Sequence, residues 1–126
     1  MKTYFTSLSY LLVLMKKFQK LIDIESNNRE KLESIKCDEF TINYQYAAKQ
    51  LDSKKYNPIC LRNITAKTKD PIIRLAAFAV LDQESDVKRI LNEQIEASYS
   101  NYYLFGKWPI ISNKILYDVA KLEAAY

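Results

Sequence analysis

The chain has 126 residues, of which 48% are hydrophobic and 27% charged, and its formal net charge is +4. This composition is that of a globular protein, so a wholly disordered chain is excluded and a single domain over residues 1–126 is expected. The chain has no His, one Gly and two Cys. These counts exclude a histidine base, a glycine-rich phosphate loop and a structural zinc site of the usual four-ligand type.

The first predicted helix begins near the N-terminus. Its apolar residues alternate at spacings of four and three, which places them on one stripe over about five helical turns. They are Tyr4, Leu8, Leu11, Met15, Phe18 and Ile22. Leu12, Val13 and Leu14 widen the stripe, so this is predicted to be the most buried helix of the protein.

The same segment bears on localisation. Its apolar run, residues 8–15, is interrupted only by Ser9 and is far shorter than the ~20 residues of a membrane span. Lysines follow it at once, and no small-residue cleavage site is present. We therefore expect a cytoplasmic protein with no membrane partner, and a cryptic signal peptide is the minority alternative.

Polar residues mark the next helix starts. Asn27 stands three residues before Glu30, the spacing of a capping box, and predicts a short helix that turns Leu32 and Ile35 inward. Asp38 is predicted to begin a third helix. The residues on one face of that helix are Phe40, Tyr44, Ala47 and Leu51.

Two further helices are predicted to begin at prolines. Asn57-Pro58 and Asp70-Pro71 each pair a capping side chain with a proline suited to the first helical position. The second of these helices, over residues 72–81, is apolar nearly all round, which is typical of a helix buried on several sides.

The rest of the chain is helical in pattern apart from one aromatic segment. A polar break at residues 82–86 precedes a helical spacing of apolar residues over 87–95, and residues 99–108 are irregular and aromatic. Ser112 is predicted to cap the last helix, whose stripe is Ile115, Leu116, Val119 and Leu122. No stretch alternates with a period of two long enough to indicate a strand. The sequence therefore predicts an all-α fold, a compact bundle of about six or seven helices.

One short sequence recurs. Lys69-Asp70-Pro71-Ile72-Ile73 returns as Lys107-Trp108-Pro109-Ile110-Ile111, at an offset close to the ~40-residue period of HEAT and armadillo repeats. Residues 69–95 resemble a HEAT-type repeat, in which a proline begins the first helix and an arginine lies near its start. The resemblance implies solenoid-like stacking of helical pairs around a protein-binding surface, and no catalysis. The alternative is two proline-led helices that share four residues of five.

Two segments are candidates for binding a protein. Aromatic side chains, which are favoured interface anchors, crowd one segment, and acids crowd the other. The candidate partner-binding residues are Tyr99, Tyr102, Tyr103, Phe105, Trp108, Asp82, Glu84 and Asp86. For the aromatic residues, an equally strong interpretation is a loop held on the core by its own rings. For the acids, it is a solvated start of a helix, where the helix dipole favours negative charge.

A basic segment over residues 53–74 supports an alternative. Its cations could contact nucleic-acid phosphates, although a solvated face explains them as well. They are Lys54, Lys55, Arg62, Lys67, Lys69 and Arg74.

Function is expected to be binding rather than catalysis. Cys37 and Cys60 are expected to be free, partly buried thiols of a reducing compartment, with a disulfide as the alternative. The sequence favours a non-enzymatic protein-binding helical module without cofactors, such as an inhibitor or immunity-type protein that neutralises a toxin or an enzyme. The alternative is a helical nucleic-acid-binding protein that uses the basic segment.

Overall fold

The computed structural model describes residues 2–97 and 108–112, and this part of the chain is all-helical, as predicted. The described part of the chain contains seven α-helices. They are α1 (Lys2–Leu14), α2 (Phe18–Asn27), α3 (Arg29–Ile35), α4 (Asp38–Gln50), α5 (Pro58–Lys67), α6 (Pro71–Val80) and α7 (Glu84–Ala97). Residues 109–112 form a further helical turn.

Helix α4 lies at the centre of the packing. It contacts α1, α2, α5 and α6, while α3 packs on α2 and α7 packs on α6. Ala47 and Ala48 of α4 and Ala76 and Ala77 of α6 are buried. Because the distance between packed helices depends on the side chains at the contact, these small residues allow α4 and α6 to approach closely.

The predicted first helix is two helices, so the prediction of one continuous stripe over residues 4–22 is wrong. Helix α1 ends at Leu14, and Lys16 takes a left-handed conformation with φ of 57°. The amide of Lys17 then donates to the carbonyl of Leu12 (2.8 Å) and that of Lys16 to Val13 (3.1 Å). These two bonds form a Schellman motif, which ends the helix and redirects the chain.

Helix α1 buries only part of the apolar surface that is predicted to be buried. Phe5, Leu12 and Val13 lie in the core, whereas Tyr4 and Leu11 of the predicted stripe are more than half exposed. Both faces of α1 are apolar, so periodicity alone could not identify the buried one.

Non-glycine residues close four helix ends. Lys16, Lys36, Asp52 and Asp82 all have positive φ, between 48° and 59°. The left-handed conformation costs an L-residue roughly 1–2 kcal/mol, and glycine usually occupies such positions. The single glycine of the chain is at position 106, so none of these four ends uses one.

The two proline-led helices are confirmed. Pro58 begins α5 and Pro71 begins α6. The Asn57 side chain accepts a hydrogen bond from the amide of Ile59 (3.1 Å). The Asp70 side chain accepts one from the amide of Ile72 (2.9 Å). Asp38 begins α4, as predicted.

The predicted cap at Asn27 is wrong, because α2 extends through that residue. Asn28 precedes α3, and its side-chain amide donates to the carbonyl of Ile24 (2.8 Å) rather than capping α3. The predicted cap at Ser112 is wrong as well. Its amide donates to the carbonyl of Trp108 (2.9 Å), so Ser112 lies inside a helical turn that follows Pro109. The predicted stripe over residues 115–122 is outside the described residues.

Candidate partner-binding surfaces

The acidic residues lie at the start of α7 and are engaged within the chain. Asp82, in the connection between α6 and α7, pairs with the ammonium group of Lys49. Asp86 pairs with Arg89 at 3.3 Å, and Glu84 is the first residue of α7. The helix dipole favours acids at these positions. Stabilisation of the start of α7 therefore accounts for the location of these acids.

Trp108 belongs to the core, which corrects its assignment as a surface anchor. Its side chain is 3% exposed, and its indole Nε1 donates to Oδ1 of Asn43 at 2.9 Å. The Asn43 amide donates in turn to the hydroxyl of Ser9 (2.9 Å), and the Tyr10 ring lies 5.5 Å from the Trp108 ring. Trp108 thus holds its segment against α1 and α4. The other predicted aromatic residues, Tyr99, Tyr102, Tyr103 and Phe105, lie outside the described residues.

Most cations of the basic segment are at the surface. Five are exposed, and none of the five forms an ion pair with another described residue. They are Lys54, Lys55, Arg62, Lys67 and Lys69. Arg74 is different, because it is partly buried and its guanidinium donates to the carbonyl of Thr68 at the end of α5. Arg74 is therefore an internal cap of α5, and its assignment to a nucleic-acid surface is corrected.

Sequence analysis did not identify a groove between α3, α4 and the start of α5, which we name the α3–α4 groove. Its cavity measures about 310 Å³. Apolar side chains and two thiols form its floor: Leu32, Cys37, Phe40, Tyr44 and Cys60. Charged side chains of both signs form its rim: Glu25, Arg29, Glu33, Lys36 and Asp38. These residues come from four helices, so no sequence motif marks the groove.

An ion pair organises one side of the rim. The Arg29 guanidinium contacts the Glu25 carboxylate through two bonds, Nε to Oε1 at 3.2 Å and Nη2 to Oε2 at 3.4 Å. This pair raises the pKa of Arg29. Tyr44 lies beside it, and burial together with the nearby Glu25 charge raises the pKa of the Tyr44 phenol.

The two cysteines line this groove, and both are free. The Cys37 thiol is buried and lies 3.1 Å from the Thr6 hydroxyl. Burial, with a smaller effect of the Asp38 charge, raises the pKa of the Cys60 thiol. Since the thiolate is the reactive form of cysteine, the groove disfavours Cys60 as a nucleophile.

A second surface lies on α1. Four large apolar side chains are exposed there: Tyr4 (62%), Leu11 (54%), Leu14 (63%) and Met15 (58%). We name these four residues, the last of which directly follows the helix, the outer face of α1. All four belong to the stripe, or to its widening, that the sequence pattern assigns to the core, which is why sequence analysis did not identify this surface.

The described residues contain neither a metal-binding cluster nor a membrane-spanning helix. No group of three or more Cys, Asp or Glu side chains there could hold a metal ion. No helix in the same part of the chain combines the length and the apolar character needed to cross a bilayer.

Comparison with known proteins identifies no relative. No family model matches the chain, and no curated protein or solved structure matches it either. The resemblance of residues 69–95 to a HEAT-type repeat stays a prediction.

Proposed function

We propose that this chain is a non-enzymatic protein-binding helical module whose partner occupies the α3–α4 groove. One observation carries the proposal: the groove joins an apolar floor to a rim that bears charges of both signs. Protein interfaces have this arrangement of an apolar centre and a polar rim. A concave pocket of this kind receives an anchoring side chain of a partner, where most of the binding energy is concentrated.

The electrostatics of the groove supports binding over chemistry. The pKa values of Cys60 and Tyr44 are both raised, so these groups are neutral near neutral pH. A partner that covers these two groups therefore does not remove a charge from water. Removal of a charge from water would cost free energy. The rim charges would select a partner with a complementary pattern.

The proposal also includes the class of partner, which is a toxin or an enzyme. An inhibitor or immunity-type protein acts by covering a toxin or an enzyme, and a groove with a two-signed rim suits that role. We place the module in the cytoplasm, and the two free cysteines support a reducing compartment.

The proposal is tested by capturing the partner from extracts of the native host. The wild-type chain should retain one stoichiometric protein, and Leu32→Glu, which places a charge on the groove floor, should reduce its capture at least about tenfold. Leu51→Glu is the matched control, because Leu51 is exposed and lies outside the groove. Because Leu32 packs against the core, the rim reversal Arg29→Glu is tested in parallel at an exposed position. Equal capture by all four proteins would contradict the proposal.

The same experiment addresses the aromatic segment. Tyr102→Ala should reduce capture if residues 99–105 contribute to the interface, as the sequence predicts. Unchanged capture by this variant would remove the segment from the interface and leave the groove as the site.

Nucleic-acid binding is a second candidate, favoured by the five exposed cations of the basic segment. Phosphate contacts by these side chains would make affinity fall steeply with salt, and charge reversal at Lys54, Lys55 and Arg62 would weaken it further. Absence of binding to DNA and RNA at low salt would rule this candidate out.

A further inference from the structure

Helix α1 is apolar on two opposite sides, and within the described residues only one of them packs in the core. Phe5, Leu12 and Val13 pack in the core. The four side chains of the outer face of α1 are more than half exposed, although the Tyr4 ring also contacts the Phe5 ring edge-on, with 5.3 Å between the ring centroids. Exposed apolar patches on a folded protein commonly mark an interaction site.

The charged residues of the segment that carries the outer face are all lysines. Residues 2–22 contain four lysines and no acid. The lysines are Lys2, Lys16, Lys17 and Lys20, all exposed, and none forms an ion pair within the described part of the chain. The Schellman motif fixes Lys16 and Lys17 directly after Leu14 and Met15, so cations and apolar side chains form one continuous surface. Its occupant must therefore be apolar and anionic.

This composition distinguishes between occupants. A second copy of the chain would bring lysines against lysines, and like charges would oppose that pairing. Protein interfaces are depleted in Lys and enriched in Arg, whereas all four cations here are Lys. Helices that lie in a membrane interface combine Leu and aromatic side chains with lysines, whose long stems reach the headgroups.

We propose that the outer face of α1 docks the protein on an anionic lipid surface. Helix α1 has 13 residues and a length of ~20 Å. Because Phe5, Leu12 and Val13 are held in the core, α1 lies flat on the bilayer with only its outer face inserted. Lys16 and Lys17, which directly follow the outer face, contact anionic headgroups, as juxtamembrane lysines do. This attachment is separate from the α3–α4 groove and does not depend on the function proposed for it.

The expectation that the protein has no membrane partner was based on a run too short to span a bilayer. Interfacial docking requires no span. It requires an exposed apolar face, and the sequence pattern predicts that this face of α1 is buried in the core.

The test is co-sedimentation of the full chain with vesicles. We expect binding to vesicles of phosphatidylcholine with about 30% phosphatidylglycerol, and at least about tenfold weaker binding to phosphatidylcholine alone. Leu11→Glu, at an exposed position, should reduce binding to the anionic vesicles at least about tenfold, and so should the double variant Lys16→Glu/Lys17→Glu. The double variant Lys67→Glu/Lys69→Glu makes the same change in net charge on the basic segment and should bind as the wild type does.

Three results would overturn the proposal. The first is a wild-type chain that does not bind the anionic vesicles. The second is an equal loss of binding in the Lys67→Glu/Lys69→Glu control, which would indicate non-specific charge attraction. The third is a concentration-dependent dimer that Leu11→Glu abolishes, which would assign the outer face to a second copy. Circular dichroism of each variant checks that the helices are retained.

Discussion

The indole of Trp108 donates a 2.9 Å hydrogen bond to the side chain of Asn43, a residue 65 positions earlier in the chain. Asn43 is fully buried in α4, and its own amide donates to Ser9 of α1. The Ser9 hydroxyl completes the chain by donating to the carbonyl of Thr6 at 3.0 Å. Buried polar groups that are fully satisfied specify one arrangement of the elements they join. This network therefore fixes residues 108–112 against α1 and α4.

Replacement of the indole should destabilise the fold. Trp108→Phe removes the donor and leaves the Asn43 carbonyl oxygen buried without it, at a cost of about 1–3 kcal/mol in the free energy of unfolding. Urea denaturation measures the change. A double-mutant cycle with Asn43→Ala separates the hydrogen bond from the lost ring volume and should give a coupling of about 1 kcal/mol. A coupling energy near zero would show that the bond contributes nothing to stability.

Relief of the left-handed conformation at Lys16 should stabilise the protein. We expect Lys16→Gly to raise the free energy of unfolding by about 0.5–1 kcal/mol, because glycine adopts positive φ without a steric penalty. Lys31→Gly is the control, since Lys31 is an exposed lysine inside α3. There, glycine should destabilise by about 1 kcal/mol. A destabilised Lys16→Gly variant would contradict the Schellman motif at the end of α1.

The ammonium group of Lys49 should contribute more to stability than the carboxylate of its partner Asp82. Lys49 donates both to Asp82 and to the carbonyl of Val80, the last residue of α6, and so caps that helix. Lys49→Met should cost about 1 kcal/mol. Asp82→Asn should cost less than about 0.5 kcal/mol, because the Asp82 side chain is 68% exposed and the Val80 bond remains. Thermal or urea denaturation compares the two variants, and an equal loss would rule out the cap.

Stability should decrease in alkali. Burial raises the pKa of Tyr10, Tyr44 and Cys60, so the folded state retains protons that the unfolded chain releases. The stability from each group is present below its unfolded pKa, about 8.5 for Cys and 10 for Tyr, and is lost as pH rises through the folded value. Urea denaturation between about pH 7 and 11 should therefore show a falling free energy of unfolding. Tyr10→Phe should flatten the fall, and an unchanged slope would contradict the burial of Tyr10.

Local signals in the sequence predicted the helices well. Asn57 and Asp70 accept the amide bonds that their position before a proline implies, because capping depends on neighbouring residues only. The all-α fold followed from apolar spacing, which is also local. Asn27 and Ser112 are exceptions, because each lies inside a helical segment, and so is the break between α1 and α2.

Long-range relationships could not be predicted. Tyr4 and Leu11 have the same helical spacing as Phe5 and Leu12, and only the contact with α4 decides which pair is buried. The density of aromatic residues did not reveal that Trp108 turns inward, because its partner Asn43 is distant in sequence. The α3–α4 groove draws its lining from four helices, so only their packing could reveal it.

The central claim is that a protein partner occupies the α3–α4 groove. Hydrogen–deuterium exchange of the chain, with and without the captured partner, tests it most directly. We predict added protection over residues 29–45, which include the groove floor of α3 and α4, and little change over residues 62–69, the part of the basic segment beyond the groove lining. Protection confined to residues 62–69, with none at 29–45, would contradict the claim.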